Sequence, residues 1–207
     1  MQGPNVLPLD GEVTLDAHWL GAEEAGALMD EMVRCLDWQQ EHARFGAKVV
    51  ALPRLTAWYG DVGYRYSGVQ HPARQWPSVL AELRDRLPGP AGAAVPRPGS
   101  RPNSVLVNFY RDGRDSMGWH SDDEPVLGPA PTIWSVSLGS TRRFVLRHRA
   151  SGQRVEVGLP HGSVLVMAGD SQRCWQHSLP KTSRPVGARV NLTFRLTAPE
   201  PLGRSRP

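Results

Sequence analysis

Several things are scarce in this 207-residue chain, and each scarcity closes off a class of protein. Only two cysteines occur, Cys35 and Cys174, in no motif spacing, which argues against a disulfide framework in a reducing compartment and predicts two buried thiols. No run of 18 apolar residues is present, and the N-terminus has no basic-then-apolar leader, so a soluble cytoplasmic protein is expected. Lysine is nearly missing. Of 24 basic residues only Lys48 and Lys181 are lysines; the other 22 are arginines, whose planar fork suits phosphate and carboxylate groups. The net charge of +4 is mild, and enrichment in Ala, Gly and Pro points to a coding bias behind part of the arginine excess, so charge alone does not decide for nucleic acid. Internal repeats are absent too.

What remains is ordinary globular material: 40% hydrophobic and 21% charged residues, enough for one domain over 1–207 with a real core. A short strand is expected around Val13. Helical spacing of Ala25, Leu28, Met29, Met32 and Leu36 predicts a helix over Gly21–Trp38. Residues 49–67 read as loop rich in aromatics, Trp76-Pro77 opens a second helix ending near Leu87, and 88–102 reads as a Pro/Gly/Ala linker. After Asn103 short strands take over: Val105–Tyr110, Ile133–Leu138, Arg143–Arg149, Arg154–Val157, Ser163–Met167 and Arg189–Leu196. The pattern predicts a mainly β protein with flanking helices and a jelly-roll core. Its parts are an N-terminal strand and helix region over 1–45, recognition loops and a helix over 46–102, the β core over 103–197, and a disordered tail over 198–207.

The chemistry sits in that second half. His120-Ser-Asp122 is followed 55 residues later by His177. Two imidazoles and a carboxylate hold a non-haem Fe(II) on one face and leave the opposite positions open. If His120 and Asp122 share a strand, residues i and i+2 project to the same side and converge on one ion, with His177 arriving from another strand. A His2Asp zinc site with an activated water is the alternative; it has no HExxH-type base and gives the arginine strand nothing to do. On that strand, Arg189, Asn191, Thr193 and Arg195 alternate with Val190, Leu192 and Phe194. Two inward arginines are costly unless anions meet them, which predicts a dicarboxylate socket completed by Asn108 and Tyr110, a solvated edge strand with polar alternation being the alternative. Arg189 and Arg195 stand about 20 Å apart along an ideal strand, so their side chains must lean together or the strand must bend.

Taken together, the motifs from Leu52 to Leu196 resemble the AlkB family of Fe(II)- and 2-oxoglutarate-dependent dioxygenases, the oxidative nucleic-acid demethylases. The match rests on Pro53-Arg54, Tyr59-Gly60-Asp61, Asn103-Ser-Val-Leu-Val-Asn108-Phe-Tyr110, His120-Ser-Asp122-Asp-Glu124, Ser135-Val-Ser-Leu-Gly139, Arg143-Phe144, His161-Gly-Ser-Val-Leu-Val-Met167, Trp175-Gln-His177 and Arg189-Val-Asn-Leu-Thr-Phe-Arg195. The DNA-repair type is nearest, through the Asp-Asp-Glu run and the closing Asn-Leu-Thr-Phe-Arg. The resemblance implies a double-stranded β-helix core, Fe(II) on His120, Asp122 and His177, and 2-oxoglutarate on Asn108, Tyr110, Arg189, Asn191 and Arg195. Arg189 would take the far carboxylate and Arg195 the one nearer the iron. It further implies O2-dependent demethylation of 1-methyladenine and 3-methylcytosine in alkylated DNA, single- or double-stranded, by a monomer, with succinate, CO2 and formaldehyde as products.

A cationic lesion calls for aromatic faces and a carboxylate, expected from Trp58, Tyr64, Tyr66, Asp123 and Glu124, with Arg54 among the substrate contacts and the base flipped or unpaired. Packing over the core is the competing role for Trp58 and Tyr59, and support of a neighbouring ligand or a solvated charge is that for Asp123 and Glu124. Arg143, Arg147 and Arg149 share one strand face and are candidate phosphate contacts, a solvated face being the alternative. Lys181 and Arg184 are weaker candidates, and His161 reads as structural. Trp134 departs from the pattern: pointing inward it narrows the pocket, outward it packs under a helix. The rivals are the same chemistry on RNA, tRNA, protein or a small molecule, and a non-catalytic nucleic-acid-binding β-barrel with a structural metal.

Overall fold

Alternation of buried polar and buried apolar residues on the strands after Asn103 requires a layer on each side of the main sheet, and the computed structural model supplies both. It describes residues 3–46, 48–66, 69–89 and 101–198, without the side chains of 45, 64–66 and 69–71. In chain order the N-terminal half holds β1 (Glu12–Asp16), α1 (Ala22–Cys35), β2 (His42–Phe45), β3 (Lys48–Ala51), β4 (Leu55–Gly60), β5 (Tyr64–Tyr66), β6 (Val69–His71) and α2 (Ser78–Arg86). The core follows with β7 (Ser104–Tyr110), β8 (Met117–His120), β9 (Ile133–Gly139), β10 (Arg142–His148) and β11 (Arg154–Leu159). It closes with β12 (Ser163–Ala168), α3 (Ser171–Cys174), β13 (Trp175–Leu179) and β14 (Arg189–Arg195).

A six-stranded sheet runs β1-β12-β9-β14-β7-β4 and a four-stranded sheet runs β11-β10-β13-β8, every pairing antiparallel. The outer face of the large sheet carries Val105, Val107, Trp134, Val136, Leu138, Val190, Leu192 and Phe194, packed in one cluster with Ala25 and Met32 of α1 and Val79, Leu80 and Leu83 of α2. Its inner face meets the small sheet in a second cluster around Phe144, Leu146, Leu165, Met167 and Trp175. This is the jelly-roll arrangement expected from the strand pattern. The helical stripe on α1 works as read, although the helix begins at Ala22 and stops at Cys35, where Leu36 turns to extended backbone.

Several elements differ from the sequence reading, β2, β3, β5 and β6 among them, and the thiols expected to be buried are exposed at Cys35 and half-buried at Cys174. Residues 55–60 form a strand of the large sheet rather than loop, because Thr56, Ala57, Trp58, Tyr59 and Gly60 are covered on both faces and therefore show no alternation. β8 is short, and its polar and aromatic make-up hid it. The arginine-bearing β10 starts at Arg142 and ends at His148, leaving Arg149 beyond the strand. Of the expected linker, residues 90–100 lie outside the described residues, as does the tail from 199 onward.

Gly139 ends β9 at φ 91, where a Cβ would lie 2.4 Å from the Ala188 carbonyl oxygen. Only glycine fits that conformation and that approach, and the pairing it permits sets Gly139 opposite Arg189.

Candidate metal and dicarboxylate site

β8 and β13 bring the two imidazoles together. His177 and His120 are direct cross-strand partners, with ring centroids 4.2 Å apart. Asp122 does not share their strand; β8 ends at His120 and the carboxylate stands on the irregular segment that follows. What fixes it is Gln172, whose Oε1 accepts the Asp122 amide at 2.9 Å, and Arg195, whose guanidinium donates to Asp122 Oδ1 at 2.5 Å. Ligand atoms of His120, Asp122 and His177 all fall within 4.8 Å of one another.

The electrostatics suit a divalent cation. His120 Nδ1 lies 2.9 Å from the Gly118 carbonyl; with the proton there, Nε2 keeps its lone pair for a metal. Burial pushes His120 down, against the pull of Asp122, and pushes His177 down to about 3, so both rings present the neutral form that coordination requires. Burial alone would raise the Asp122 carboxyl. Arg195 and the two histidines outweigh it and hold the group below its ordinary value.

Beside the triad, one cavity of about 40 Å³ collects the inward side of the core. Asn108 and Tyr110 of β7, Arg189, Asn191, Thr193 and Arg195 of β14, Ser135 of β9, and His120, Asp122 and His177 all line it. Register explains the convergence: Arg189 stands opposite Tyr110, and Asn191 opposite Asn108. The two arginines mark its two ends, and both lean into the same space, which resolves their separation along the strand. Arg195 sits at the triad. Arg189 lies with its guanidinium 5.4 Å from the Tyr110 ring centre, one nitrogen on Ser137 Oγ at 2.9 Å, and its buried Nε without a partner among the described residues. Burial depresses it to about 10. A buried cation with an unused donor is what a carboxylate would satisfy, and three N/O donors facing the other end suit Fe(II). The residues therefore fit both groups.

The partners of the other expected residues sharpen their roles. Asn191 spends its amide hydrogens on Ser135 Oγ and the Val136 carbonyl, so it braces the wall more than it donates to a ligand. Arg54 is 3% exposed and donates from Nε to Asn108 Oδ1 at 2.9 Å, orienting that amide from behind. Trp58 is buried with Leu106 against Met117 and Val126, a packing role beneath the cavity; Tyr59 lies in the outer core. Asp123 is exposed and engages Arg149, which also reaches Ser121 Oγ at 2.7 Å. Arg149 thus pins the loop of Asp122. Glu124 is half-buried and opens a 3-10 turn, Pro125–Leu127. The backbones of Tyr64 and Tyr66 pair in β5–β6, and their side chains lie outside the described residues.

On the outer face of the small sheet, Arg143 pairs with Glu156, while Arg147 bonds Gln176 and covers the Trp119 ring at 4.5 Å. Trp134 points outward into the helix-facing core and donates to the Pro88 carbonyl. His161 is structural: Nδ1 accepts the Gly139 amide and Nε2 meets the Ala22 carbonyl. Sequence reasoning missed Gln172 and Arg142, and gave no role to Ser135 and Ser137 although it matched their motif. Arg142 lies near Tyr110 and donates to three backbone carbonyls, those of Asp112, Asp115 and Pro180. Nothing in the spacing marks Gln172 or Arg142, since each acts through a contact distant in sequence, whereas Ser135 and Ser137 alternate with Trp134, Val136 and Leu138.

Comparison with known proteins agrees with this geometry. The 2OG-Fe(II) oxygenase superfamily matches residues 12–195. The chain is 38% identical over 201 residues to the rat alpha-ketoglutarate-dependent dioxygenase alkB homolog 3, covering 92% of this chain and 66% of that relative. It is 42% identical over 159 residues to the mouse DNA oxidative demethylase ALKBH2, covering 72% and 64%. The chain thus spans about two thirds of the length of these relatives. Among solved structures, that of OsALKBH1 superposes with a TM-score of 0.61 at 21% identity, covering 91% of this chain and all of the other, which speaks for the fold. A matched family over nearly the whole core, and relatives that share it at this identity, place the chain in the 2OG-Fe(II) oxygenase superfamily, among the AlkB homologues.

Proposed function

We propose that this chain oxidatively demethylates alkylated nucleobases in DNA, of the 1-methyladenine and 3-methylcytosine kind. The observation that carries the reaction type is the single cavity on which His120, Asp122, His177, Arg189 and Arg195 converge. Support for the substrate class comes from the relatives, one of which is by name a DNA oxidative demethylase.

His120, Asp122 and His177 would hold Fe(II), and Arg189 and Arg195 would hold the two ends of 2-oxoglutarate. When bound, these groups and O2 supply an oxidation that turns 2-oxoglutarate into succinate and CO2 and places one oxygen on the N-methyl carbon, which leaves as formaldehyde. The chain's own work is positional. Arg189 neutralises the far carboxylate inside a wall of Tyr110 and Ser137. Arg195 keeps Asp122 anionic and oriented, and Arg54 turns Asn108 towards the cavity. Leu106, Met117, Phe144 and Leu179 line the remainder with apolar surface and limit water. Glu124 and the Tyr64–Tyr66 segment remain the candidates for meeting a flipped cationic base.

The test is product formation on a single-stranded DNA oligonucleotide carrying one 1-methyladenine, with Fe(II) and 2-oxoglutarate added. Succinate and formaldehyde in equal amounts support the proposal, and His177→Ala must abolish both. Succinate without formaldehyde on DNA, with both products on methylated RNA, would move the substrate to RNA. Absence of both products from folded, iron-loaded protein would refute the enzyme reading.

A further inference from the structure

A second group of metal-ligating side chains lies apart from the triad, on three segments far apart in sequence. Asp10, His148 and Cys174 bring one carboxylate oxygen, one imidazole nitrogen and one thiol sulfur within 4.8 Å of one another. We propose that Asp10, His148 and Cys174 form a second metal site, for a zinc-class divalent ion, that ties the N-terminal segment to the small sheet.

The donors come from a prepared frame. His148 ends β10, is buried, and stacks edge-on to Trp175 with ring centroids 5.0 Å apart. Its Nε2 already lies 3.1 Å from Asp10 Oδ2. Cys174, half-buried, ends α3 immediately before Trp175. Asp10 is exposed and is brought to them by a tight turn, in which Asp10 has φ 46 and Gly11 φ 119. A Cβ on Gly11 would lie 2.6 Å from the Ser171 amide nitrogen, so the turn sits directly on the start of α3. Trp175 Nε1 donates to the Asp10 carbonyl at 2.9 Å, and Asn5 staples the turn through the Gly11 carbonyl and the Val13 amide. The carboxylate is thus delivered by backbone anchors rather than by chance contact.

Sulfur, nitrogen and oxygen together are the donor mix of zinc. Tetrahedral zinc with bonds of ~2.0–2.3 Å places its donors roughly 3.3–3.8 Å apart, so a small contraction of the group suffices, and exposed Asp10 leaves the fourth position to water. Charge balances as well. A thiolate and a carboxylate cancel a 2+ ion, so Arg173, held on Asp170 beside the group, meets a neutral complex. Loading requires two proton movements. The Cys174 thiol proton leaves to solvent as the Zn–S bond forms. Without metal, His148 Nδ1 accepts the Ser151 amide at 3.1 Å; with metal the imidazole proton passes through solvent from Nε2 to Nδ1 and is accepted by Ser151 Oγ, 3.0 Å away, while the Ser151 amide gives up its bond to the ring and turns to water.

Cobalt(II) titration of the metal-free full chain is the test, because the His120–Asp122–His177 centre contains no sulfur. A thiolate-to-cobalt charge-transfer band is expected in the wild type and lost in Cys174→Ser. Zinc affinity at this site should fall by at least about tenfold in Asp10→Asn, a change on an exposed side chain that keeps the test open should Cys174→Ser fail to fold. No sulfur band in the wild type, a band that survives Cys174→Ser, or an Asp10→Asn protein with unaltered zinc affinity would each overturn the proposal. The band is read without turnover, so its outcome is independent of the demethylase assay.

Discussion

Arg195 donates to Asp122 Oδ1 at 2.5 Å, with both side chains almost fully withdrawn from water. The pair links the end of the dicarboxylate cavity to the metal triad. Removing one partner of a buried ion pair leaves the other uncompensated, a cost of ~3–5 kcal/mol. Arg195→Met should therefore destabilise the metal-free protein by about that amount, measured as a fall in the urea midpoint at unchanged slope. It should also raise the Fe(II) requirement, since Asp122 loses its orientation. An unchanged midpoint would mean that the pair does not hold in solution.

Arg189 should behave in the opposite way. Its cation is buried with Nε unpartnered among the described residues, so without ligand it contributes little stability. Arg189→Met is expected to leave the ligand-free melting temperature equal or higher. A charge-assisted hydrogen bond is worth ~1.5–3 kcal/mol, so the same variant should bind 2-oxoglutarate roughly 10- to 100-fold more weakly and lose the thermal shift that the co-substrate produces. A lower melting temperature together with intact 2-oxoglutarate binding would contradict a carboxylate role.

Gln172 does not line the cavity, yet it fixes the Asp122 backbone through a 2.9 Å bond. Loss of such a supporting contact typically costs 10–100-fold in metal affinity. Gln172→Leu should raise half-saturating Fe(II) by about that factor while the KM for 2-oxoglutarate stays near the wild-type value. A matching rise in both would indicate general damage to the core instead of a positioning role.

The sequence exposed the parts of this site whose spacing is local. Arg189, Asn191, Thr193 and Arg195 alternate, and the structure puts all four on one cavity wall. Helical spacing on α1 marked Ala25 and Met32, both now in the outer core. The unseen parts depend on contacts between distant segments. β4 is covered on both faces and so lacks a period. Asp122 reaches the histidines from a loop held by Gln172, fifty residues away in sequence. Arg54 and Arg149 look alike as arginines but do different work: one steers Asn108 from within the core, while the other ties down the loop after His120. Partner, not residue type, decides the role.

The buried His177 ring gives the metal-free protein a defined pH dependence. Burial lowers it from the ordinary 6.5 to about 3. Above pH 6.5 neither folded nor unfolded chain binds a proton at this ring, and it contributes no slope. Between pH 6.5 and about 3 the unfolded chain takes up a proton that the folded site refuses, so stability falls as pH falls. One proton corresponds to a slope of up to about 1.4 kcal/mol per pH unit. The lowered Asp122 carboxyl acts in the same direction below its ordinary 3.8. Urea midpoints of chelator-treated protein should therefore decline from pH 6.5 downward, and His177→Gln should flatten that part of the profile. Equal slopes for wild type and His177→Gln would show that this imidazole is not held neutral by the core.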